Sequence, residues 1–529
     1  MLFNLLGICL ILILVWMKNF TDVHHFQLFG YYMNQFLNSV KMNKEKWFRP
    51  YEIFAVLGAA LVFIPDLWLL KILGLIFLAI DLYFFRLIVR AYPQKKKCVY
   101  TPRVKRMLTT AAVLLIIIGF IMVQLPDIYR TLLSIVMIFT SFIWIVAANT
   151  INKPIEAAVN DYYYRDALKL LSKNPKLMVI GITGSYGKTS TKNVLYTMLS
   201  KDFNVLMTPE SFNTKMGLTR TIREHLKPTH QILIAEMGAK EVGDIKELCD
   251  FVRPMYGVIT SIGPQHLDTF KTFENIISTK GELFKYLQPG GTAFVNVDDE
   301  NVRNIVLRND VKSVRYSAEN NIALSPDYYI EDTSVSGNGS SFTLVQSKTG
   351  RKIRLNTHLL GKHNLSNVIA GIAIALSLGV PFDRLNVMTA DLRAVEHRLS
   401  TRRVNDLYTI LDDAFNSNPV GSKMALNVLK QFEGNKKFII TPGMIELGDQ
   451  AYTLNKQFGT YIAEVCDYVI LVGKKQTQPI YDGLLESGYP DSKLYVAKNI
   501  KDAFAHLHEK VTLNDVVLIE NDLPDTFNE

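Results

Sequence analysis

A glycine-rich loop followed by a lysine and two hydroxyl residues carries the clearest chemistry in this 529-residue sequence. Residues 181–190 read GITGSYGKTS. The backbone N–H groups of such a loop and the N-terminus of the following helix bind phosphate oxygens. The lysine reaches the β- and γ-phosphates, and the hydroxyl can hold Mg²⁺. The strict GxxxxGK[ST] spacing requires glycine at position 182, where the chain has isoleucine. The loop predicts ATP binding if a strand precedes it and a helix follows it.

Polar residues at the ends of two further apolar runs extend this candidate site. The run 231–236 (QILIAE) ends in Glu236, and the run 256–261 is followed by His266. A helix then brings Lys280 within reach. Carboxylates at the carboxyl ends of parallel strands beside a phosphate-binding loop commonly hold the metal. Taken singly, the three residues could equally be a surface carboxylate, a loop cap and a solvated lysine. Together with the loop they predict a phosphoryl-transfer site.

The sequence also predicts the strands and helices that must position these residues. An apolar, β-branched run over 176–182 predicts a strand, and 189–200 predicts a helix. Near the C-terminus, strand-like runs alternate with helical stretches, which is typical of a doubly wound α/β unit. These runs are 408–411, 437–440, 468–472, 494–496 and 516–519. We predict an α/β protein with a parallel-sheet ATPase domain over 176–395 and a smaller Rossmann-like domain over 396–529.

Residues 1–150 carry most of the apolar excess of a chain that is 49% hydrophobic. A transmembrane helix needs ~20 apolar residues, and four or five spans can be drawn. They are about 2–17, 51–64, 67–89, 108–125 and 128–148. No basic residue precedes the first span and no small-residue cleavage site follows it, which favours a retained anchor over a cleaved signal peptide. We predict an all-α transmembrane segment over 1–151, joined to the ATPase domain by a linker over 152–175.

Lysine and arginine are concentrated in two connections between these spans. Residues 1–150 hold 15 Lys and Arg against 6 Asp and Glu, whereas 151–529 hold 43 of each sign. Five of the basic residues lie in 18–49 and seven in 90–106. Because basic loops stay in the cytoplasm, we expect a multi-pass protein of the cell membrane with cytoplasmic catalytic domains. Membrane topology explains the basic excess better than nucleic-acid binding does, so no nucleic-acid partner is expected.

The four cysteines lie far apart and show no CxxC spacing. This argues against a disulfide framework and against a zinc site. A reducing cytosol suits the large polar part of the chain.

An ordered set of short motifs resembles the Mur ligases, which join amino acids or peptides to cell-wall precursors, and in particular their D-alanyl-D-alanine-adding branch. The resemblance covers about residues 176–520. Its motifs are TGSYGKTS at 183–190, IAEMGAKEVGDI at 234–245, HLDTF at 266–270, TKGELF at 279–284, GKHNLSNVIAG at 361–371, EHRL at 396–399, LDDAFNSNP at 411–419 and GMIELG at 443–448.

The resemblance implies an ATP-dependent acid–amino-acid ligase. An acceptor carboxylate attacks the γ-phosphorus of ATP to give an acyl phosphate, and an amino acid or dipeptide then displaces phosphate. Lys188 would stabilise the transferring group, while Thr189 and Glu236 would hold one Mg²⁺. His266 would hold a second Mg²⁺ together with Lys280 in carbamylated form. Two metal ions would offset the repulsion between ATP and the acceptor carboxylate.

The resemblance also implies a set of nucleotide-binding and substrate residues. Asn364 and Asn367 match positions at the adenine, although this stretch could equally be a plain helix start. Arg398, with a catalytic role, and Asp413 match positions at the ribose and phosphates. The implied nucleotide-binding set is Gly184, Ser185, Tyr186, Gly187, Lys188, Thr189, Ser190, Asn364, Asn367, Arg398 and Asp413. The implied substrate residues are Asn213 and Asn416.

Two departures from the family pattern leave the substrates open. The adding ligases carry a soluble N-terminal domain that grips the uridine nucleotide of their acceptor, whereas here a membrane segment and a short linker occupy that position. The final strand runs into VVLIENDL at 516–523 instead of a Lys-Gly-Ser-type loop. The leading interpretation is a membrane-anchored ligase of peptidoglycan-precursor synthesis. The alternatives are a ligase that extends a non-murein polymer or cofactor, and a membrane P-loop ATPase coupled to transport.

Overall fold

The computed structural model describes residues 2–42, 49–91, 97–265, 267–336, 339–415, 417–432, 434–445 and 447–522. The chain divides into two compact units, Met1–Tyr162 and Tyr163–Glu529. The first is helical, and the second contains both predicted α/β domains.

Apolar helices build the first unit within its described residues. They are α1 (Leu2–Leu28), α2 (Met33–Met42), α3 (Ile53–Val62), α4 (Trp68–Ala91), α5 (Pro102–Gln124), α6 (Asp127–Phe139) and the start of α7 (Ser141–Ser172). A 3-10 turn over Pro50–Glu52 precedes α3. Helices α1, α4 and α5 are long and apolar enough to cross a membrane.

Two of the five predicted spans differ from the described helices. The second is only the 10-residue helix α3, which rises about 15 Å and is too short to cross the hydrocarbon. The fifth is broken at Thr140, where α6 and α7 meet at a bend of 77°. Counting that bent pair as one span gives up to four in the described part of the chain, the lower of the two predicted numbers.

Most of the predicted linker is helical, because α7 continues to Ser172. The last turns of α7 belong to the second unit and pack on its first domain. The Tyr164 ring centroid lies 4.8 Å from that of Phe251, and Arg223 Nε donates to Asp166 at 2.7 Å.

In the described residues of the central domain, one mixed sheet has the order β2-β3-β1-β4-β5-β6-β7-β8-β9. The strands are β1 (Met178–Thr183), β2 (Val205–Met207), β3 (Ile232–Glu236), β4 (Tyr256–Ile259), β5 (Thr292–Asn296), β6 (Lys312–Ser317), β7 (Tyr328–Ser336), β8 (Gly339–Gln346) and β9 (Arg351–Thr357). Strands β1 to β7 pair in parallel, whereas β7, β8 and β9 are antiparallel.

Helices cover both faces of this sheet and bury its β-branched strands. They are α8 (Lys188–Leu199), α9 (Lys215–His225), α10 (Asp244–Val252), α11 (Leu267–Phe270), α12 (Phe273–Lys285), α13 (Glu300–Arg303), α14 (Lys362–Ser377) and α15 (Leu385–Ala390). One apolar core lies beneath α8 and α14, and the other beneath α10 and α12.

The C-terminal domain has, among the residues described, a sheet of order β10-β11-β15-β12-β13-β14. Its strands are β10 (Ser400–Val404), β11 (Tyr408–Asp413), β12 (Lys437–Thr441), β13 (Tyr468–Val472), β14 (Leu494–Ala497) and β15 (Val516–Glu520). Its helices are α16 (Pro419–Gln431), α17 (Ala451–Ala463), α18 (Lys474–Glu486) and α19 (Ile500–Lys510). All five predicted strands are present, and the predicted α/β fold is confirmed.

Candidate active site

The glycine-rich loop lies between β1 and α8, as predicted. Gly184 and Gly187 have φ values of +146° and +78°, which favour glycine. A Cβ at Gly184 would lie 2.1 Å from Thr260 Oγ1 at the end of β4. Gly187 caps α8 in the left-handed conformation, so the helix N-terminus opens directly into the loop. This geometry suits phosphate oxygens, because backbone N–H groups and the helix dipole point to the same place.

Lys188 lies over this loop. Its Nζ donates to the carbonyl oxygens of Gly184 at 2.6 Å and Ser185 at 3.1 Å. Burial lowers the pKa of Lys188 to about 8, Glu236 opposes the shift and Arg398 adds to it. The ammonium form still predominates at neutral pH, and bound phosphates would favour it further.

Glu236 ends β3 beside the loop and is almost fully buried. The Thr189 hydroxyl lies 3.2 and 3.1 Å from its two carboxylate oxygens, so the predicted pair is brought together. Asn213 Nδ2 donates to Glu236 Oε1 at 3.2 Å, which places this predicted substrate residue against the carboxylate. A hydroxyl and a carboxylate are the oxygen ligands that Mg²⁺ prefers.

Lys192 is a site residue that the sequence reasoning missed. Its Nζ lies 3.0 Å from Glu236 Oε2, and the two side chains are 1% and 2% exposed. The same Nζ also donates to the carbonyl of Glu210. The available signal was helical spacing, because Lys192 follows Lys188 by four residues and lies one turn further along the same face of α8.

Ser185 and Tyr186 contact the loop that follows β4. Ser185 Oγ donates to the carbonyl of Gly263 at 2.9 Å and accepts from its N–H at 3.0 Å. The Tyr186 hydroxyl donates to the carbonyl of Pro264 at 3.1 Å. These side chains fix the phosphate loop against the segment that leads to His266. Their predicted nucleotide contacts, and that of Ser190 in the first turn of α8, stay predictions.

Lys280 lies on α12 and is 3% exposed. Burial, and to a smaller extent the charge of Lys188, lowers its pKa to about 7, while Asp244 and Glu282 oppose the shift. With this pKa, a substantial fraction of the Lys280 amine is neutral near physiological pH, and the neutral amine is the form that can react with CO₂. The predicted metal ligand His266 and the predicted substrate residue Asn416 lie outside the described residues.

Asn364 and Asn367 lie buried in the first turns of α14, next to α8. Thr191 Oγ1 donates to Asn367 Oδ1 at 2.8 Å, and Asn364 Nδ2 donates to the carbonyl of Leu360 at 2.8 Å. A Cβ at Gly187 would lie 3.1 Å from Asn367 Oδ1. Asn367 therefore lies at the phosphate loop, with Asn364 beside it on the same helix. The predicted contact of both asparagines with adenine stays a prediction.

Arg398 brings the C-terminal domain to the loop. Its Nη2 lies 3.4 Å from Thr189 Oγ1, and its guanidinium stacks 4.4 Å from the centroid of the Phe415 ring. Asp413, at the end of β11, accepts from the N–H of Leu399 at 3.0 Å. Burial raises the pKa of Asp413 to about 6, against the effect of that hydrogen bond and of Arg398. The two domains thus contribute charged groups to one site.

Comparison with known families matches this arrangement domain by domain. Residues 182–375 match the Mur ligase middle domain, and residues 397–520 match the Mur ligase glutamate ligase domain. The chain belongs to the Mur ligase family. The helical unit lies outside both matches and is extra to the Mur domains.

Named relatives of this Mur ligase are UDP-N-acetylmuramoyl-tripeptide–D-alanyl-D-alanine ligases. The Bacillus subtilis protein is 29% identical over 344 residues, which are 65% of this chain and 72% of the relative. The Escherichia coli protein is 30% identical over 301 residues, which are 56% of this chain and 65% of the relative. The structure of MurF ligase from Thermotoga maritima in complex with ADP has a TM-score of 0.60 and 26% identity, covering 69% of this chain and 80% of that chain.

The chemistry that this Mur ligase can perform follows from the groups that meet at the loop. A lysine, an arginine and a helix N-terminus surround the predicted phosphate site, and a buried carboxylate with a hydroxyl suits a metal ion. The family consists of ATP-dependent ligases that form amide bonds, and the chain carries the middle domain and the glutamate ligase domain of that family.

Proposed function

We propose that this Mur ligase is a membrane-bound enzyme that joins the peptide carboxylate of a peptidoglycan precursor to the amino group of D-alanyl-D-alanine. The observation that carries the proposal is the meeting of the phosphate loop, Glu236 and Arg398 at Thr189. The printed activity of the relatives supplies the substrate class. The chain matches 72% and 65% of the length of those two relatives, and the same two substrates are part of our proposal.

The reaction has two steps. An oxygen of the acceptor carboxylate attacks the γ-phosphorus of ATP, ADP leaves, and an acyl phosphate forms. The amine nitrogen of the second substrate then attacks the acyl carbon and loses a proton, and inorganic phosphate leaves. Lys188 and Arg398 stabilise the negative charge on the transferring phosphoryl group.

Magnesium fits the oxygen ligands that this chain presents. Thr189 and Glu236 would hold one ion, which offsets the charges of ATP and the carboxylate. A second ion is proposed at His266 and Lys280. The neutral amine of the buried Lys280 can add to CO₂ and lose a proton, which gives a carbamate anion whose oxygens can bind the metal.

The helical unit is proposed to anchor the enzyme in the cell membrane with its α/β domains in the cytoplasm. Large apolar side chains lie on the outside of its long helices, including Trp68 at 58%, Leu69 at 63% and Phe120 at 72% exposure. Exposing apolar surface of this kind to water is unfavourable, whereas its contact with lipid is favourable. In the sequence, the helical unit occupies the position of the domain with which the adding ligases grip a uridine nucleotide. We therefore propose that the acceptor is presented at the membrane, attached to a lipid.

The test uses the full chain in lipid nanodiscs. ADP release is measured with UDP-linked or lipid-linked muramoyl tripeptide and D-alanyl-D-alanine, each alone and in pairs, and products are weighed by mass spectrometry. We expect ADP release only when acceptor and dipeptide are both present, with a mass gain of the acceptor and a preference for the lipid-linked form. Lys188→Ala is expected to abolish it. Steady ATP hydrolysis that is indifferent to every acceptor would refute the ligase assignment.

A further inference from the structure

Arg398 lies in a strained backbone segment. The residues on either side of it, His397 and Leu399, have φ values of +61° and +53°. This left-handed conformation is unfavourable for residues other than glycine, and at functional sites it persists where surrounding contacts hold it. Arg398 Nη2 lies 3.4 Å from Thr189 Oγ1 at the phosphate loop, so the position of the guanidinium depends on those contacts.

The end of β11 and the loop after it provide these contacts. Asp413 Oδ1 accepts from the N–H of Leu399 at 3.0 Å. The N–H of Phe415 donates to the carbonyl of His397 at 3.1 Å, and the centroid of the Phe415 ring lies 4.4 Å from Arg398 Cζ. The strained segment is therefore held on both sides of the arginine by this part of the chain.

Two residues at the end of β15 fix the same loop from the other side. Glu520 is the register neighbour of Asp413, its side chain is fully buried, and its Oε1 accepts from Ser417 Oγ at 2.6 Å. Asn521 Oδ1 accepts from the N–H of Ser417 at 3.3 Å. Asn521 Nδ2 donates to the carbonyl of Gly443 at 2.6 Å. Ser417 is thus held through its side chain and through its backbone.

The backbone of Asn521 suits this role. Its φ is +71°, a conformation that asparagine adopts more readily than most residues, and its side chain is buried. It joins the loop after β11 to the loop after β12. Glu520 and Asn521 belong to the stretch VVLIENDL at 516–523, so the departure from a Lys-Gly-Ser-type loop coincides with the links to Ser417.

Glu520 acts in this cluster as a neutral group. Within the described residues its Oε2 has no hydrogen-bond partner. Burial, and to a smaller extent the charge of Asp413, raises the pKa of Glu520 well above its ordinary value, against hydrogen bonds from Ser417 and Ser422. A neutral carboxyl group offers Ser417 the same kind of carbonyl oxygen that a glutamine offers. Glutamine should therefore replace Glu520 without loss of the contact.

We infer that Glu520 and Asn521 are positioning residues for Arg398. They fix Ser417, the loop then holds the backbone and the side chain at Phe415, and Arg398 is kept beside Thr189. The action of Arg398 on the terminal phosphate of ATP rests on the proposed function, whereas the hold on the loop does not.

Two variants of Glu520 separate this role from a contribution to the core. Glu520→Leu removes the acceptor of Ser417 and places an apolar side chain in a buried position, which costs little stability where the hydroxyl keeps another partner. That partner is Ser422 Oγ, 2.8 Å from Ser417 Oγ. Glu520→Gln keeps the acceptor and is the conservative variant.

A matched pair of asparagine variants tests the second residue. Asn521→Gly removes both side-chain hydrogen bonds, and glycine accepts the positive φ without strain. The control is Asn514→Gly at the opposite end of β15. Asn514 also has a positive φ of +63°, and its side chain accepts from Arg403 Nη2 at 2.9 Å, away from the loop after β11.

The experiment uses the full chain in lipid nanodiscs. Hydrogen exchange is followed by mass spectrometry in the peptide that contains Phe415 and Ser417. Titrations give the affinities for a non-hydrolysable ATP analogue and for ADP, in the parent and in an Arg398→Ala background. ADP lacks the terminal phosphate, so its affinity reports whether the rest of the nucleotide site is intact.

We expect Glu520→Leu and Asn521→Gly to speed exchange in this peptide by about 2- to 10-fold, the range for losing one hydrogen bond. Both should weaken binding of the ATP analogue by about 10-fold, the lower end for a hydrogen bond to a charged group, and leave ADP affinity unchanged. In the Arg398→Ala background they should have no further effect. Glu520→Gln and Asn514→Gly should behave like their parents.

Four results would overturn the inference. They are unchanged exchange in Glu520→Leu and Asn521→Gly, equal losses of ATP-analogue and ADP affinity, a loss that persists in the Arg398→Ala background, and a Glu520→Gln variant as impaired as Glu520→Leu. Ligase turnover of the parent is measured beside these titrations. Its absence would count against the proposed function alone, because exchange and nucleotide affinity decide the role of Glu520 and Asn521 without it.

Discussion

The buried ion pair between Lys192 and Glu236 leads to a quantitative prediction. Lys192→Met removes the cation from a pair whose side chains are 1% and 2% exposed and whose charged atoms lie 3.0 Å apart. Breaking a buried pair on one side costs about 3–5 kcal/mol, because the remaining charge is left without its partner. Glu236 keeps hydrogen bonds from Thr189 and Asn213. We therefore expect Lys192→Met to lower the free energy of unfolding by an amount near the lower end of this range, about 3 kcal/mol.

A double-variant cycle separates this pair from general damage. Glu236→Gln alone leaves Lys192 buried without a counter-charge and should cost a similar amount. The combination of Lys192→Met and Glu236→Gln leaves no unpaired charge. Its loss should be at least about 2 kcal/mol smaller than the sum of the two single losses, whereas independent sites add to within about 0.5 kcal/mol.

Thermal unfolding measures these differences. For a domain of about 150–250 residues, 1 kcal/mol shifts the Tm by about 2–4 °C, so Lys192→Met should lower the Tm by about 6–12 °C. The matched control is Lys201→Met, just after the same helix. Lys201 Nζ pairs at 2.5 Å with Asp391, which is 73% exposed. Losing such a surface pair should cost less than about 1 kcal/mol.

Activity gives an independent check, because the carboxylate of Glu236 is proposed to hold the metal. Every variant with Glu236→Gln should stay inactive even where the double change restores stability. If the two single losses simply add, or if Lys192→Met behaves like Lys201→Met, the assignment of Lys192 as the counter-charge of Glu236 is wrong.

Three further predictions concern other parts of the site. Lys280→Ala should lose ligase activity, and acetate or propionate should partly restore it. The control Lys285→Ala replaces an exposed lysine on the same helix and should keep the activity. Absence of rescue would contradict a carbamate ligand. Gly184→Ala should weaken ATP binding in a titration by about 10- to 100-fold, because strain and overpacking cost about 1–3 kcal/mol. Gly350→Ala, also at positive φ (+67°) but with nothing within 4 Å, should not change it. Burial raises the pKa of Asp413 to about 6, whereas in an unfolded chain it is about 3.9. Between pH 4 and 6 the folded state therefore binds more protons than the unfolded state. The free energy of unfolding of the parent should thus fall relative to Asp413→Asn by about 2–3 kcal/mol as the pH rises through that window. Urea denaturation at pH 4 and pH 7 measures this difference, and an equal difference at both pH values would contradict it.

The strands that position the site could be predicted because they are short, continuous apolar runs. β1 and β3 are buried on both faces of a parallel sheet, and such strands carry β-branched residues without alternation. Since parallel neighbours end at one edge, the register of Ile182 with Glu236 follows from the two runs once they are adjacent. The meeting of Thr189 and Glu236 was predictable for this reason.

Edge strands and breaks within helices are harder to predict from the sequence. β10 (Ser400–Val404) is largely exposed, and its sequence STRRV has no apolar face for a periodicity to detect. The fifth apolar run of the N-terminal segment looks continuous, yet Thr140 ends α6 and its hydroxyl bonds back to the carbonyl of Val136 at 2.6 Å. The composition of such a run shows that it is apolar, whereas the position of a bend in its helix depends on how neighbouring helices pack against it.

Lys192 shows why a motif underdetermines a site. The phosphate-loop pattern contains one lysine, and Lys188 occupies it, with its Nζ over the loop carbonyls. One turn later, the same helix supplies a second lysine, Lys192, whose ammonium group pairs with Glu236 Oε2. A buried carboxylate without a bound cation needs a counter-charge, and Lys192 provides one for Glu236, which we propose holds a metal ion. The motif therefore describes the contacts to the nucleotide, whereas the charge balance of the ligand-free site depends on a residue outside it.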